Sequence, residues 1–265
     1  MWRIYLGNTV GDNSTSGVRL AILSDSSADA DKRKFFYPPD VALIYDSSFS
    51  STPEYDLVTL VSGDRSNPTE DDVHNRAYAI RDYTVSGALA STFTPYSHSD
   101  LYDATLNLIQ EGSDAEIATA TTDLQASKGW YFDLKELDGS WIGEKGLSRP
   151  LILSGRLFFT TFLPDASGTG VDLCATPIEG SGRLFAVDLL TAAAVYPNWD
   201  GVGDNANYTR ADRTYDTSLP GIPSEPVPVF QPKGVTIIIG GGGGGTSFDP
   251  DVGMPTFINY WHQSQ

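Results

Sequence analysis

The sequence is poor in cysteine, histidine and basic residues, and it has no long apolar run. Cys174 is the single cysteine among 265 residues, so no disulfide can form within the chain. Lys and Arg number 17 against 34 Asp and Glu, a formal charge of −17. This balance argues against nucleic acid as a partner, because nucleic-acid binding needs a basic face. No stretch is long and apolar enough to cross a membrane as a helix.

The residues that are abundant favour short strands joined by turns. Aromatic residues make up 11% of the chain, and 26 Gly and 16 Pro interrupt it at frequent intervals. Aromatic and β-branched runs bounded by Gly and Pro are typical of strands. We therefore expect an all-β fold, with residues 1–265 forming one domain or part of one.

One pattern recurs along the chain: an aromatic-rich strand that ends in Asp or a similar polar residue. The copies lie at 2–6, 78–82, 131–134 and 185–189, with a poorer one at 257–261. Asp82 and Asp133 are 51 residues apart, and Asp133 and Asp188 are 55 apart. This spacing is typical of one four-stranded propeller blade with insertions.

Pairs of apolar strands precede several of these copies. The pairs are 40–45 with 56–63, 150–153 with 157–162, and 226–230 with 235–240. Because these runs are apolar nearly throughout, we interpret them as strands buried on both faces, in the order inner strand, middle strand, aromatic strand. The count predicts about three full blades with partial blades at both ends. A closed propeller needs four to eight blades, so either this chain forms a short propeller or upstream sequence completes the ring, and we expect the second.

Two segments depart from the strand pattern. Helical spacing after Ser99 and Asp100 predicts a helix at about 100–111, with a second short helix at about 114–126. Six consecutive glycines at 240–245 predict a flexible loop or a close-packed turn and not a packed strand.

Ordered sequence blocks then identify a resemblance that spans most of the chain. They are RKFFYPPDVA (33–42), SGDR (62–65), NRAY (75–78), GWYFDL (129–134), GEK (143–145), LFFTTFLP (157–164), DLC (172–174), GRLFAVD (182–188), GIPSEP (221–226) and YWH (260–262). This set resembles the C-terminal β-propeller domain of PilY-type proteins, which are secreted and associated with type IV pili.

The resemblance implies a non-enzymatic protein at the pilus tip or the outer surface of a bacterial cell. It implies action with minor pilins and the pilus tip complex in pilus assembly, adhesion to a host or abiotic surface, twitching motility or surface sensing. Because many family members carry an Asp-rich calcium loop, it also implies calcium as a cofactor.

The best candidate for that calcium site is the acidic segment 198–212. Calcium takes six to eight oxygen ligands, which a loop with oxygens at alternating positions can supply. Asp200 and Asp204 match the first and fifth positions of such a loop, and Asn205 replaces the usual glycine. Val202 stands where a third oxygen is expected. The complete candidate ligand set is Asp200, Asp204, Asn205, Asn207 and Asp212.

Sequence signals for any other metal or catalytic site are weak. Asp64, Glu70, Asp71 and Asp72 are interpreted as a solvated turn, and the three histidines are too scattered for a metal triad.

The aromatic–Asp strands also resemble quinoprotein propellers, so a quinone-dependent oxidoreductase remains an alternative. The adjacent cysteine pair of many such enzymes is absent. A structural scaffold in an envelope or filament assembly is the third hypothesis, and Cys174 is interpreted as a small buried hydrophobe.

Overall fold

The computed structural model describes residues 1–6, 15–24, 27–50, 52–85, 87–164, 180–199, 201, 208–232 and 234–252. Within these ranges the chain forms four separate β-sheets and two α-helices, so the all-β expectation is confirmed. Apart from one short parallel pairing between Tyr102–Asp103 and Gly129–Asp133, neighbouring strands run antiparallel. Cys174 and the last aromatic copy at 257–261 lie outside the described residues.

The sheets follow one another along the chain. The first contains β1 (Trp2–Tyr5) and β2 (Ser16–Arg19). The second has the order β3-β4-β5-β7-β6, from β3 (Asp40–Tyr45), β4 (Glu54–Val61), β5 (Arg76–Asp82), β6 (Tyr102–Asp103) and β7 (Gly129–Asp133). Two helices, α1 (Leu108–Glu111) and α2 (Asp114–Ala126), connect β6 to β7.

The third sheet has the order β12-β11-β10-β8, and β9 also pairs with β10. Its strands are β8 (Lys145–Gly146), β9 (Leu151–Leu153), β10 (Arg156–Leu163), β11 (Ser181–Asp188) and β12 (Thr214–Pro220). The fourth sheet contains β13 (Val227–Gln231), β14 (Gly234–Gly241) and β15 (Gly244–Phe248).

Three apolar cores join each sheet to the next. Leu57, Phe132 and Phe159 belong to the core shared by the second and third sheets. On the opposite face of the second sheet, a core that contains Leu60 includes residues that follow β2. The opposite face of the third sheet packs through Phe158 on the fourth. Strands β4, β5, β10 and β11 are therefore buried on both faces, which explains their nearly continuous apolar sequences.

The prediction that the first strand of each apolar pair is buried on both faces is wrong. In β3 every second residue is exposed, including Val41, Leu43 and Tyr45. The strands buried on both faces are β4, β5, β10 and β11 of the second and third sheets, because these have a core on either face. In β14 of the fourth sheet, Ile238 is exposed.

The interpretation of the 51-residue interval from Asp82 to Asp133 as the length of one propeller blade is also wrong. Strands β5 and β7 pair directly in one sheet, with Tyr78 opposite Tyr131. The 51-residue spacing from Asp82 to Asp133 therefore measures the helical insertion between two neighbouring strands.

The predicted helix at about 100–111 is largely wrong. The segment has a 3₁₀ turn at His98–Asp100, then β6, and only one helical turn in α1. Leu101 and Ala104 are buried in different cores, so they do not share a helix face. The helix at about 114–126 is confirmed as α2, which begins with a capping box between Ser113 and Glu116.

The expectation of a loop or turn at the six glycines is confirmed only for Gly242 and Gly243, and the other four belong to paired strands. Gly240 pairs with Gly245 and Gly241 with Gly244, so the run forms the ends of β14 and β15 and the turn between them. Gly243 has a φ of +85°, a turn conformation that glycine adopts without strain. A Cβ on Gly241 would lie 2.8 Å from the Cβ of Leu219, so this pairing requires a residue without a side chain.

Candidate functional site

The predicted calcium loop connects β11 to β12. Asp200, Asp204, Asn205 and Asn207 lie outside the described residues, and Asp212 lies in the 3₁₀ turn Ala211–Arg213 just before β12. The structure thus describes the two ends of the loop, and calcium binding by the four residues between them remains a prediction.

The Asp212 carboxylate links the two ends of this loop. Its Oδ1 accepts a hydrogen bond from the Trp199 backbone N–H at 2.8 Å. Its Oδ2 accepts from the Thr209 N–H at 2.8 Å and from the Thr209 hydroxyl at 2.9 Å. Because the carboxylate is buried and makes three hydrogen bonds, it holds residues 199 and 209 together. This loop-closing role needs no metal, and calcium ligation by Asp212 remains a prediction.

Asn198 is a further candidate ligand that sequence reasoning did not select. Its side-chain Oδ1 is buried and has no hydrogen-bond partner among the described residues. Its φ of +56° is in the left-handed region, which asparagine tolerates better than most residues. An amide oxygen is a ligand type that calcium accepts. The sequence signal was present, since Asn198 directly precedes the acidic segment, but burial of its oxygen depends on the fold.

The second acidic segment forms a turn that is held together by its own side chains. Asp64 pairs with Lys34 at 2.6 Å and accepts hydrogen bonds from the Ser66 hydroxyl and N–H. These contacts, with that of Lys34 the largest, lower the pKa of Asp64 to about 2. The buried Lys145 ammonium donates to the carbonyl oxygens of Pro68 and Glu70. The contacts support the interpretation of this segment as a structural turn.

The described histidines have separate, non-metal partners. His74 stacks on Trp141 with ring centroids 3.8 Å apart. His98 Nε2 lies 2.9 Å from the Tyr78 hydroxyl, and burial lowers the pKa of His98 to about 4. In the described ranges no three His, Cys, Asp or Glu side chains are grouped closely enough to hold a metal. None of the helices in the described part of the chain is long and apolar enough to span a membrane.

Comparison with known proteins gives a likeness at the level of the fold. No family model matches the chain, and no curated protein matches it. Among solved structures, the chain is similar to the crystal structure of the Pseudomonas aeruginosa PilY1 C-terminal domain, with a TM-score of 0.51 and 14% sequence identity. The match covers 84% of this chain and 47% of that one, so the chain spans about half the length of the solved domain. The chain therefore has a fold similar to part of the PilY1 C-terminal domain.

Proposed function

We propose that this chain is a type IV pilus-associated protein that presents a binding surface and catalyses no reaction. The observation that carries the proposal is the fold likeness to the PilY1 C-terminal domain. The ordered sequence blocks from 33 to 262 support it independently of the fold. On this proposal the protein lies outside the bacterial cell, at the pilus tip or the outer surface. It acts there with minor pilins in pilus assembly, adhesion, twitching motility or surface sensing.

The proposal includes a propeller arrangement of the four sheets. Four sheets that follow one another along the chain, each sharing a core with the next, support this arrangement. The two terminal sheets support further blades beyond them. Trp2 and Ile4 on the first sheet are 62% and 66% exposed, and Phe230 on the fourth is 61% exposed. Large apolar residues on an outer sheet face are typical of a surface that another sheet covers.

Calcium modulation is part of the same proposal. The buried Oδ1 of Asn198 and the hydrogen bonds from residues 199 and 209 to Asp212 support it, because they bring oxygen ligands to the two ends of the acidic segment. A calcium ion bound there would be expected to rigidify the loop between β11 and β12.

The test of the pilus role uses the purified chain and the minor pilins of the same organism. We expect saturable binding by biolayer interferometry, and loss of surface pili or of twitching in cells that lack the gene. Restoring the gene should restore both. Absence of binding together with normal pili and normal twitching would overturn the proposal. Quinone-dependent oxidation of a substrate by the purified chain would instead favour the oxidoreductase.

A further inference from the structure

A cavity of about 210 Å³ lies between the second and third sheets. Phe132 of β7 and Phe185 of β11 line it, and Arg210 and Arg213 in the approach to β12 form another wall. Leu137, in the segment after β7, also contributes to the lining. At about 30 Å³ per water, the volume corresponds to roughly seven waters, which suits a small molecule.

Arg213 is a buried guanidinium that lacks a complete set of partners. Only 2% of its surface is exposed. One Nη donates to the Ala104 carbonyl at 2.9 Å and to the Asn107 side-chain oxygen at 3.0 Å. Its Nε has no hydrogen-bond partner among the described residues, and the guanidinium lies 5.1 Å from the centroid of the Phe132 ring. A buried guanidinium with an unpaired N–H is costly, and the charge of an anion in the adjacent cavity would offset part of that cost.

The charge of Arg213 is not balanced by a contacting carboxylate. Its described hydrogen bonds go to backbone carbonyls and an amide oxygen. Burial lowers the pKa of Arg213 to about 9, and Glu111 opposes that shift. The neighbouring Arg183 differs, since it contacts Glu136 at 2.8 Å and Glu144 at 3.3 Å.

Arg210 adds a second guanidinium to the same wall. Its described side-chain hydrogen bond goes to the backbone carbonyl of Glu136 at 2.8 Å. Glu136 and Glu144 contact Arg183, and Asp133 contacts Lys135, so these lining groups are already paired with one another. Among the described lining residues, Arg210 and Arg213 are therefore the cationic side chains without a carboxylate contact, in a protein whose formal charge is −17.

The lining limits the charge of that anion. Among the described residues around the cavity, cationic and acidic side chains number four each, so a multiply charged anion would be repelled by the nearby carboxylates. The rings of Phe132 and Phe185 and the side chain of Leu137 offer apolar surface beside the two arginines. We propose that this cavity binds a small organic monocarboxylate, with its carboxylate on Arg210 and Arg213 and its apolar body against Phe185 and Leu137.

The test compares benzoate with benzamide, its uncharged analogue of nearly the same shape, by isothermal titration calorimetry. Benzoate should bind with a Kd of about 1 mM or lower, and benzamide should bind at least about tenfold more weakly. Amide chemical shifts of residues 183–185 and 210–214 should change with benzoate. Arg210→Gln should weaken benzoate binding about tenfold. Arg149→Gln, which alters an exposed arginine paired with Asp40, should leave it unchanged.

Arg213→Lys provides a second variant, because complete loss of the buried cation could unfold the chain. It keeps the charge but removes the Nε–H and the planar fork, so benzoate should bind more weakly while the far-ultraviolet circular dichroism stays native. Three results would each overturn the proposal: no benzoate saturation by about 10 mM, equal binding of benzamide, or unchanged affinity in Arg210→Gln. Inorganic phosphate binding in place of benzoate would overturn the choice of a monocarboxylate.

Discussion

The Asp40 carboxylate accepts a 2.8 Å hydrogen bond from the backbone N–H of Ile152, which links β3 of the second sheet to β9 of the third. The same carboxylate lies 3.3 Å from the Arg149 guanidinium. Asp40 thus joins β3 to β9 at the edge of the core that the two sheets share. This side-chain hydrogen bond connects two sheets, whereas backbone hydrogen bonds between strands connect only strands of the same sheet.

Replacing Asp40 by Ala should lower the free energy of unfolding by about 2 kcal/mol, because a charge-assisted hydrogen bond is lost and the Ile152 N–H loses its acceptor. Asp40→Asn is the matched control. It keeps an oxygen for Ile152 and loses only the exposed ion pair, so it should cost about 0.5 kcal/mol. Urea unfolding followed by tryptophan fluorescence measures both. Equal losses in the two variants would contradict this role for the hydrogen bond.

Stability should depend on pH through His98. Burial, followed by the charges of Arg76 and Arg33, lowers the folded-state pKa of His98 to about 4, against about 6.5 in an unfolded chain. Between these values the unfolded state binds more protons, so this contribution is complete above pH 6.5 and is lost as the pH falls through 4. Because His98 is only half-buried, solvent screening should limit it to about 1 kcal/mol.

Nuclear magnetic resonance titration of the His98 ring measures that pKa directly. The variant His98→Gln should show a shallower rise of unfolding free energy between pH 4 and 6.5 than the parent chain. A His98 pKa near 6.5 in the folded protein, or identical pH profiles, would contradict the assignment.

The glycine run offers a test of which glycines the hairpin requires. Gly243→Ala should destabilise the chain by about 1 kcal/mol, because its φ of +85° is costly for a residue with a Cβ. Gly244→Ala is the control, since a Cβ there meets nothing within 4 Å and its φ is not in the left-handed region. It should change stability by less than about 0.5 kcal/mol. Thermal unfolding of the two variants distinguishes a required turn from a merely flexible run.

Calcium should raise the melting temperature of the chain. At free calcium near 100 times the Kd, binding to the folded state adds about 2.7 kcal/mol, or roughly 5 to 10 °C for a chain of this size. The double variant Asp200→Ala and Asp204→Ala should lose the shift. The double variant Asp71→Ala and Asp72→Ala removes the same charge from an exposed turn and should keep it. A shift retained without Asp200 and Asp204 would exclude them as ligands.

The sequence predicted the strands more successfully than their arrangement. Period and composition located most strands, and the capping signal at Ser113 located α2, because these features depend on neighbouring residues. The helix expected at 100–111 failed because Leu101 and Ala104 belong to different cores, and spacing alone does not distinguish one helix face from two opposed contacts.

Some features of the candidate sites have a local sequence signal, and others are visible only in the folded structure. Acidic spacing selects the segment that contains Asp200 and Asp204 as a calcium-loop candidate, because such loops have local signatures, and this remains a prediction. The unpartnered oxygen of Asn198 and the loop closure by Asp212 become visible only in three dimensions. The cavity had no signal at all, because Phe132 and Arg213 are far apart in the chain and meet only where two sheets pack.

The sequence by itself determined an acidic, all-β chain of short strands with one clear helix, because charge, strand propensity and capping are local properties. Tertiary structure alone decided which strands are buried on both faces, that β5 and β7 pair directly, and that six glycines form a hairpin. It also decided the surroundings of Arg213. These features depend on contacts between residues distant in sequence, whose energies are set by packing and desolvation and not by the local pattern.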